Sequence, residues 1–523
     1  MIGEQRFSDL EKRLIGFGTV TLIFAYFYNL GIYPLFQEEP RRGIIALEMI
    51  LQDNYWVPTQ QGDLYFRKPP VYNWLLIFSY KLFGEYSELA TRFFSVLSHL
   101  VMAGLSYWFV KRQLGAFIAI FTSLGFLLVG DILLSASTLG EIDLFYTLIT
   151  ASSIFLIFHL GQQKKYLALF LAVYALTAVG FLTKGLSALP FTAISLLVYF
   201  ILEKNFRQLL RWQHFAGIGL FAVLVGGYFY MYSQYEDPSG WWKTLYSESA
   251  DKAAGGGFMA FLKHLVEFPF QTIMNVMPAG LFVALLFRKG ALKQLKENPF
   301  VWFCLLVFFF NYLVYWFSVE GRSRYIYPIL PFLLVALAYM ATRYKGGFWN
   351  KAMRGLTWVC LSLLTLGTPA SFFVESLEVV DNLWVPITFI ILCVAGLWFV
   401  FLKRRLRDVL VIYFMMILFK FGISATVPVT REKATGAAED KALAMEMVEI
   451  TGDKPIYRYK GLRMSFTIVF YLEREKLDII RTKDIAEPGY YVCYPEDFED
   501  FPGAEILHEF TYFGSIPMYF IKY

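Results

Sequence analysis

The chain is 523 residues long, 57% hydrophobic, 19% aromatic and 17% charged, with a mean hydropathy of +0.50. Soluble domains are about one quarter charged, so this balance excludes a soluble multidomain enzyme, a disordered chain and a disulfide-rich secreted scaffold. The net charge of +5 does not point to nucleic acid, because in a polytopic membrane chain the placement of Lys and Arg matters more than their sum.

The polar start, 1–13, leads into an apolar run over about 14–36, long enough to cross a bilayer. No small-residue cleavage site follows, so the run reads as an uncleaved first helix. Further apolar runs lie near 91–110, 114–134, 142–160, 166–183, 185–202, 214–232, 268–287, 299–317, 325–342, 355–373, 384–402 and 408–427. The hydropathy criterion thus predicts about thirteen spans. Arg6, Lys12 and Arg13 start the chain, and alternate connections are basic: 111–112, 164–165, 204–211, 288–296, 343–354 and 403–407. By the positive-inside rule these face the cytoplasm, and an odd number of spans sends the carboxyl end to the other side.

The outer side holds a first loop over 37–90, a second over 233–267, and a carboxyl-terminal stretch of soluble composition over 428–523. In that stretch a helix is predicted at 434–450 and strands at 466–471, 490–493 and 518–523, a small α/β domain. The predicted fold class is mostly α: a transmembrane unit over 1–427 with an extracytoplasmic α/β domain. Cys304, Cys360, Cys393 and Cys493 show no metal spacing and read as small buried residues.

Candidate chemistry gathers on the outer side. Gln37-Glu38-Glu39-Pro40-Arg41-Arg42 leaves the first span, and paired carboxylates at a membrane boundary are costly unless used or neutralised. Either Glu38 and Glu39 act on an acceptor nucleophile as base or orienting group, or Arg41 and Arg42 simply neutralise them; spacing leaves both open. Lys68 precedes Pro69-Pro70, which fixes the backbone, and suits a lipid phosphate as a point charge, or else snorkels to the headgroups. Glu141 and Asp143 occupy a short outer connection, as candidate catalytic carboxylates or a solvated pair at a helix start. Lys184 sits in an outer turn, as a ligand or a capping residue. Arg322, Arg324, Tyr325 and Tyr327 precede a proline-started helix, where guanidinium forks and phenols either bind phosphate or join the interfacial belt.

The order of these motifs resembles the protein O-mannosyltransferase superfamily of membrane glycosyltransferases, and within it the bacterial relatives of the lipid A aminoarabinose transferase. The elements that carry the resemblance are Glu38-Glu39-Pro40-Arg41, Glu48-Met49, Trp56-Val57-Pro58, Lys68-Pro69-Pro70, the Phe-Leu-Thr-Lys-Gly of 181–185, and Tyr325 with Pro328 and Pro331. The resemblance implies a GT-C-type fold in the bacterial inner membrane and a polyprenyl-phosphate sugar as donor. It also implies inversion at the anomeric carbon, and a lipid, glycan or protein acceptor. It places Glu38 at the catalytic acidic position, with Lys68 and Tyr325 at the donor phosphate and Lys252 standing where the family has a phosphate-binding Arg. Arg322, Arg324 and Lys184 complete the basic set assigned to the donor phosphate.

Three departures stand out. The first acidic residue is Glu rather than Asp; Arg42 replaces an aromatic residue; and Arg67 replaces an acidic residue implicated in metal binding, which removes the expected partner of His264. A divalent metal requirement therefore stays open, with no cofactor assigned. The rival reading is a transporter or flippase of envelope glycolipids, which accounts for the spans but not for the outer domain or the grouping of Glu38, Lys68 and Tyr325.

Overall fold

The computed structural model describes residues 7–244, 247, 257–344, 347–512 and 515–523. Helix α1, Asp9–Phe27, starts on a capping box: the Ser8 hydroxyl accepts from the Glu11 N–H and the Glu11 carboxylate from the Ser8 N–H, satisfying two donors the helix leaves orphaned. The loop after α1 folds into two helices, α2 (Glu39–Leu51) and α3 (Val71–Phe83), joined through a short antiparallel hairpin of β1 (Thr59–Gln60) and β2 (Asp63–Leu64). Then follow α4 (Glu88–Leu114), α5 (Ala116–Leu127), α6 (Gly130–Leu134), α7 (Ile142–Gln162), α8 (Tyr166–Lys184), α9 (Ala188–Leu202) and α10 (Trp212–Tyr232). Later apolar helices cover Pro299–Trp316, Leu330–Arg343, Gly347–Ala370, Trp384–Leu402 and Asp408–Ala434. The chain is a polytopic membrane protein.

Among the described residues, nine helical segments are long and apolar enough to cross a membrane, or ten if α5 and the segment Gly130–Thr138, bent by 46° to each other, count as one span. The expected thirteen are not reached by this measure, and the shortfall has physical causes. Helix α1 opens with Asp9, Glu11, Lys12 and Arg13, which shortens its apolar stretch. The stretch 268–287 divides between the end of the helix Phe258–Asn275 and the tighter turns of Ala279–Phe287. The stretch Tyr166–Leu202 counts once, yet its chain reverses at Gly185, where φ is +74°. The Thr177 and Thr192 hydroxyls meet at 2.6 Å and the Phe170 and Phe200 rings lie 5.7 Å apart. A continuous helix rising about 1.5 Å per residue would hold both pairs far apart.

The last spanning helix runs on to Ala434, and after it the helix Gly436–Thr451 matches the predicted one closely. The carboxyl-terminal sheet has the order β4-β3-β5-β7-β6, from β3 (Ile456–Tyr459), β4 (Thr482–Lys483), β5 (Tyr490–Cys493), β6 (Glu505–Tyr512) and β7 (Ile516–Lys522). Strand β3 runs parallel to β4 and β5, and β7 antiparallel to β5 and β6. The expected strand at 466–471 is instead the start of a helix, Phe466–Lys476. Short apolar runs do not separate a buried strand from a buried helix by periodicity, and the helix formers Leu-Glu-Arg-Glu-Lys that follow decide it.

This helix lies against α2. A Cβ on Gly43 would come within 2.5 Å of the Phe470 ring, so glycine is what permits the approach. The Tyr471 hydroxyl accepts from the Leu35 N–H (2.9 Å) and donates to Glu88 (2.8 Å), while Thr467 donates to the Leu35 carbonyl (3.1 Å). The carboxyl-terminal domain thereby sits directly on the loop that follows α1.

Candidate active site

Glu38 is the residue before the first turn of α2, where Pro40 pre-sets the backbone and negative charge complements the helix N-terminus. Its half-exposed carboxylate pairs with Arg41. Glu39, one residue on, points about 100° away around the helix and is fully buried. It does not meet Arg41 or Arg42 but Arg92 of α4: Nε donates to Oε2 (2.9 Å) and Nη2 to Oε1 (2.8 Å). The other Arg92 protons go to the carbonyls of Leu30 (2.8 Å), Tyr33 (2.9 Å) and Pro34 (3.0 Å), with the guanidinium over the Tyr33 ring at 3.7 Å. Glu39 also accepts from the N–H groups of Gly140 (2.8 Å) and Phe36 (3.2 Å). All its capacity is spent on joining the first loop, α4 and the connection before α7. Arg42 turns to the Tyr65 hydroxyl at 3.1 Å.

Facing this loop is a second cluster. Glu141 accepts from Arg324 at 2.7 Å, Asp143 from Lys184 at 2.5 Å, and Arg324 lies 3.8 Å from Asp143. The Lys184 ammonium sits over the rings of Tyr325 (4.9 Å) and Tyr146 (5.1 Å). Five residues singled out from sequence, Glu141, Asp143, Lys184, Arg324 and Tyr325, thus form one network drawn from three separate connections. Burial first, then the Asp143 carboxylate, pushes the Glu141 carboxyl up to about 7 against the pull of Arg324 and Arg42. Burial first, then the charges of Arg42 and Arg67, lowers the Arg41 guanidinium from its usual value, against Tyr65 and Glu141.

Lys68 is half-buried on the turn that enters α3, with Pro70 immediately before the helix. Arg322 is exposed and outside the network. Lys252 lies outside the described residues. His264 faces the Tyr315 carbonyl at 3.2 Å and stacks on Phe268. Among the described residues no three His, Cys, Asp or Glu side chains converge on a common point.

Several residues that build this site went unread in the sequence. Arg92, Asp131 and Lys420 are single charges in apolar runs, and that rarity was itself the available signal. Glu48 was noted only as part of a motif; it is fully buried, accepts from Thr59 (2.5 Å) and the Gly62 N–H (3.2 Å), and also from the Gln61 N–H. It anchors the hairpin that leads to Lys68. From the other side Arg458 of the carboxyl-terminal domain donates to the Gln61 carbonyl at 2.7 Å.

Residues 67–228 match the family model of dolichyl-phosphate-mannose-protein mannosyltransferases. The fold aligns with crystal structures of ArnT from Cupriavidus metallidurans, over 98% of both chains at 17% identity, with TM-scores of 0.72 for the apo state and 0.71 for the state bound to undecaprenyl phosphate. In sequence the chain is similar to this mannosyltransferase family over 67–228, and in fold to ArnT. The likeness to the crystal structures is one of fold, and it identifies the architecture as GT-C. An undecaprenyl phosphate-alpha-4-amino-4-deoxy-L-arabinose arabinosyl transferase of Aeromonas salmonicida is 27% identical over 373 residues, covering 66% of this chain and 64% of the relative. The chain thus spans just under two thirds of that relative's length. The enzyme of the same name from Shewanella sediminis is 20% identical over 544 residues, 97% of this chain and 94% of that one.

Proposed function

We propose that this chain is an inverting glycosyltransferase that moves a sugar from a polyprenyl-phosphate donor, of the undecaprenyl type, to an acceptor at the outer membrane face. The observation that carries the reading is the network of Glu141–Arg324 and Asp143–Lys184 beside Tyr325, taken together with the half-exposed Glu38 carboxylate at the start of α2. It combines a half-exposed carboxylate with a set of cations and phenols, the two functions such a reaction needs. Undecaprenyl phosphate bound to ArnT and the aminoarabinosyl transfer named for the Aeromonas relative support the donor class and make lipid A one acceptor to test, beside glycans and proteins.

In this mechanism the acceptor oxygen attacks the anomeric carbon as the bond from that carbon to the phosphate oxygen breaks. Polyprenyl phosphate leaves with the bonding pair. Glu38 takes or shares the acceptor's proton. Lys68, Arg324 and Tyr325 stabilise the charge that grows on the leaving phosphate. Lys184 completes the basic wall, held in place by Asp143. The chain's orientation follows the charge of its loops: amino end and basic loops in the cytoplasm, the domain at 428–523 in the periplasm, the unit at 1–427 in a bacterial inner membrane. A transporter would leave the outer carboxylate–cation cluster without a role.

The test is transfer of radiolabelled sugar from synthetic undecaprenyl-phosphate sugars, pentose, aminoarabinose and hexose, to an envelope lipid extract by purified protein in detergent. Transfer that disappears in Glu38→Gln is expected. Wild-type protein inert with every donor, yet able to move labelled lipid across liposomes, would replace this reading by the transporter.

A further inference from the structure

A lysine in the middle of a membrane span is expensive, and those that persist mark function or a specific structural duty. Lys420 lies in the middle of the last spanning helix, Asp408–Ala434, and its side chain is 1% exposed. Its ammonium sits 4.9 Å over the Tyr26 ring and donates to the Leu133 carbonyl (3.0 Å) and the Ser137 hydroxyl (3.1 Å). Both acceptors belong to the broken segment after α5, where α6 gives way to the tight turn Ala136–Thr138.

That segment is held at every step by a different element. The Gly130 N–H donates to the Met277 carbonyl at 3.0 Å, and Asp131 accepts from the Tyr327 hydroxyl at 2.6 Å. Thr138 accepts from the Tyr33 hydroxyl through its carbonyl. The Gly140 N–H reaches Glu39 at 2.8 Å, the Ser95 hydroxyl donates to the Glu141 carbonyl at 3.2 Å, and the Glu141 carboxylate takes Arg324 at 2.7 Å. The segment therefore touches the site twice from below. Asp131 fixes Tyr327, two residues from Tyr325, and Glu141 fixes Arg324. Lys420 grips it midway between those two contacts.

We infer that Lys420 is a positioning residue for the candidate site: its ammonium, on Leu133 and Ser137, sets the register of the 130–141 segment and through it the place of Arg324 and Tyr325. The inference rests on the proposal that these two residues face the donor phosphate. A displacement of about 1 Å at such a site costs on the order of 10²-fold, so removing the grip should show in donor affinity before it shows in folding.

The experiment measures binding of undecaprenyl phosphate to the full-length protein in detergent, alongside its melting temperature, for wild type, Lys420→Met and Leu410→Ala. Leu410 is fully buried near the start of the same helix, almost three turns before Lys420, so Leu410→Ala serves as a destabilised control. Lys420→Met is expected to weaken binding by about 10-fold or more, well beyond Leu410→Ala at a matched loss of melting temperature. It should raise the KM for a donor sugar more than the KM for the acceptor, and Lys420→Arg should recover part of the affinity. Affinity that only tracks melting temperature in both variants overturns the inference. If Lys420→Met does not fold, Ser137→Ala replaces it: weaker binding at unchanged melting temperature supports the inference, and unchanged binding overturns it. Wild-type protein that binds no undecaprenyl phosphate defeats the donor reading itself, and the inference falls with it; wild-type binding combined with insensitive variants defeats the inference alone.

Discussion

Glu39 and Arg92 face each other through two parallel hydrogen bonds of 2.8 and 2.9 Å, with both side chains wholly withdrawn from solvent. Every N–H of that guanidinium has a partner, so the desolvation of both charges is matched by a complete set of bonds. Removing one member would strand the other, which costs about 3–5 kcal/mol. Glu39→Gln and Arg92→Met are therefore expected to melt well below wild type in detergent and to accumulate poorly. Arg92→Lys should fare little better, because one ammonium cannot reach three carbonyls and both carboxylate oxygens. A wild-type melting temperature in Glu39→Gln would remove the pair from its structural place.

The reach of sequence reasoning is visible at this pair. Adjacent carboxylates at the end of a span were conspicuous, but which of them is spent on structure depends on the direction each takes from the start of α2, about 100° apart. The partner lies 53 residues away, beyond any local pattern. Span positions and basic loops are local properties and were readable; the division of labour between Glu38 and Glu39 was not. The helix at Phe466–Lys476 shows the same limit, since packing against Gly43 of a distant helix is not written in its own six apolar residues. Glu141, Asp143, Lys184, Arg324 and Tyr325 were each identifiable as outer charges or phenols. That they form one network required the fold.

A pH dependence follows where the carboxyl-terminal domain meets α2. Glu473 and Glu48 are both fully buried, and the charge of Glu48 acts on the Glu473 carboxyl. Burial first, then the Glu48 charge, holds the Glu473 carboxyl well above its usual 4.5; burial raises Glu48 too, against the bonds from Thr59 and the hairpin. A carboxyl raised in the folded state contributes stability that is fully present below the unfolded value and is lost as pH rises through the folded one. Wild-type melting temperature should fall as pH rises above the usual carboxyl value of 4.5. Glu473→Gln cannot titrate, so its curve should be flatter over that rise. Parallel curves would show that the Glu473 carboxyl is not raised.

Lys68 and Lys184 were assigned the same task from sequence, and their surroundings now separate them. Lys184 closes a nearly buried pair with Asp143. Lys184→Met should cost about 3 kcal/mol, the low end for a broken buried pair, because Arg324 remains near Asp143. Lys68 lies half-buried on a turn already set by Pro69 and Pro70. Lys68→Ala should leave the melting temperature close to wild type while weakening undecaprenyl phosphate, and Lys68→Arg should keep part of the affinity, since charge survives and geometry changes. Binding assays and melting curves on the same preparations decide it: a Lys68→Ala protein that binds as wild type takes Lys68 out of the site.

The sharpest test falls on Glu38. With Glu39 fully engaged by Arg92, Glu38 is the member of the acidic pair whose carboxylate remains half-exposed, paired with Arg41 on its own helix. An i,i+3 pair of this kind contributes about 0–1 kcal/mol, so Glu38→Gln should fold and melt as wild type. It keeps size and one acceptor oxygen but loses the charge needed to take a proton from an attacking hydroxyl. Turnover should drop by about 10²–10⁴, the span for losing general acid–base assistance, with donor binding unchanged. An acceptor that attacks through an anionic phosphate brings no proton to remove, and Glu38 then only orients it, so the loss should shrink toward tenfold or less. The size of the Glu38→Gln effect therefore reports the chemistry of the acceptor. Full turnover in Glu38→Gln with a hydroxyl acceptor would end the assignment of Glu38 as base and turn attention to Glu141, whose carboxyl is held near neutrality at about 7.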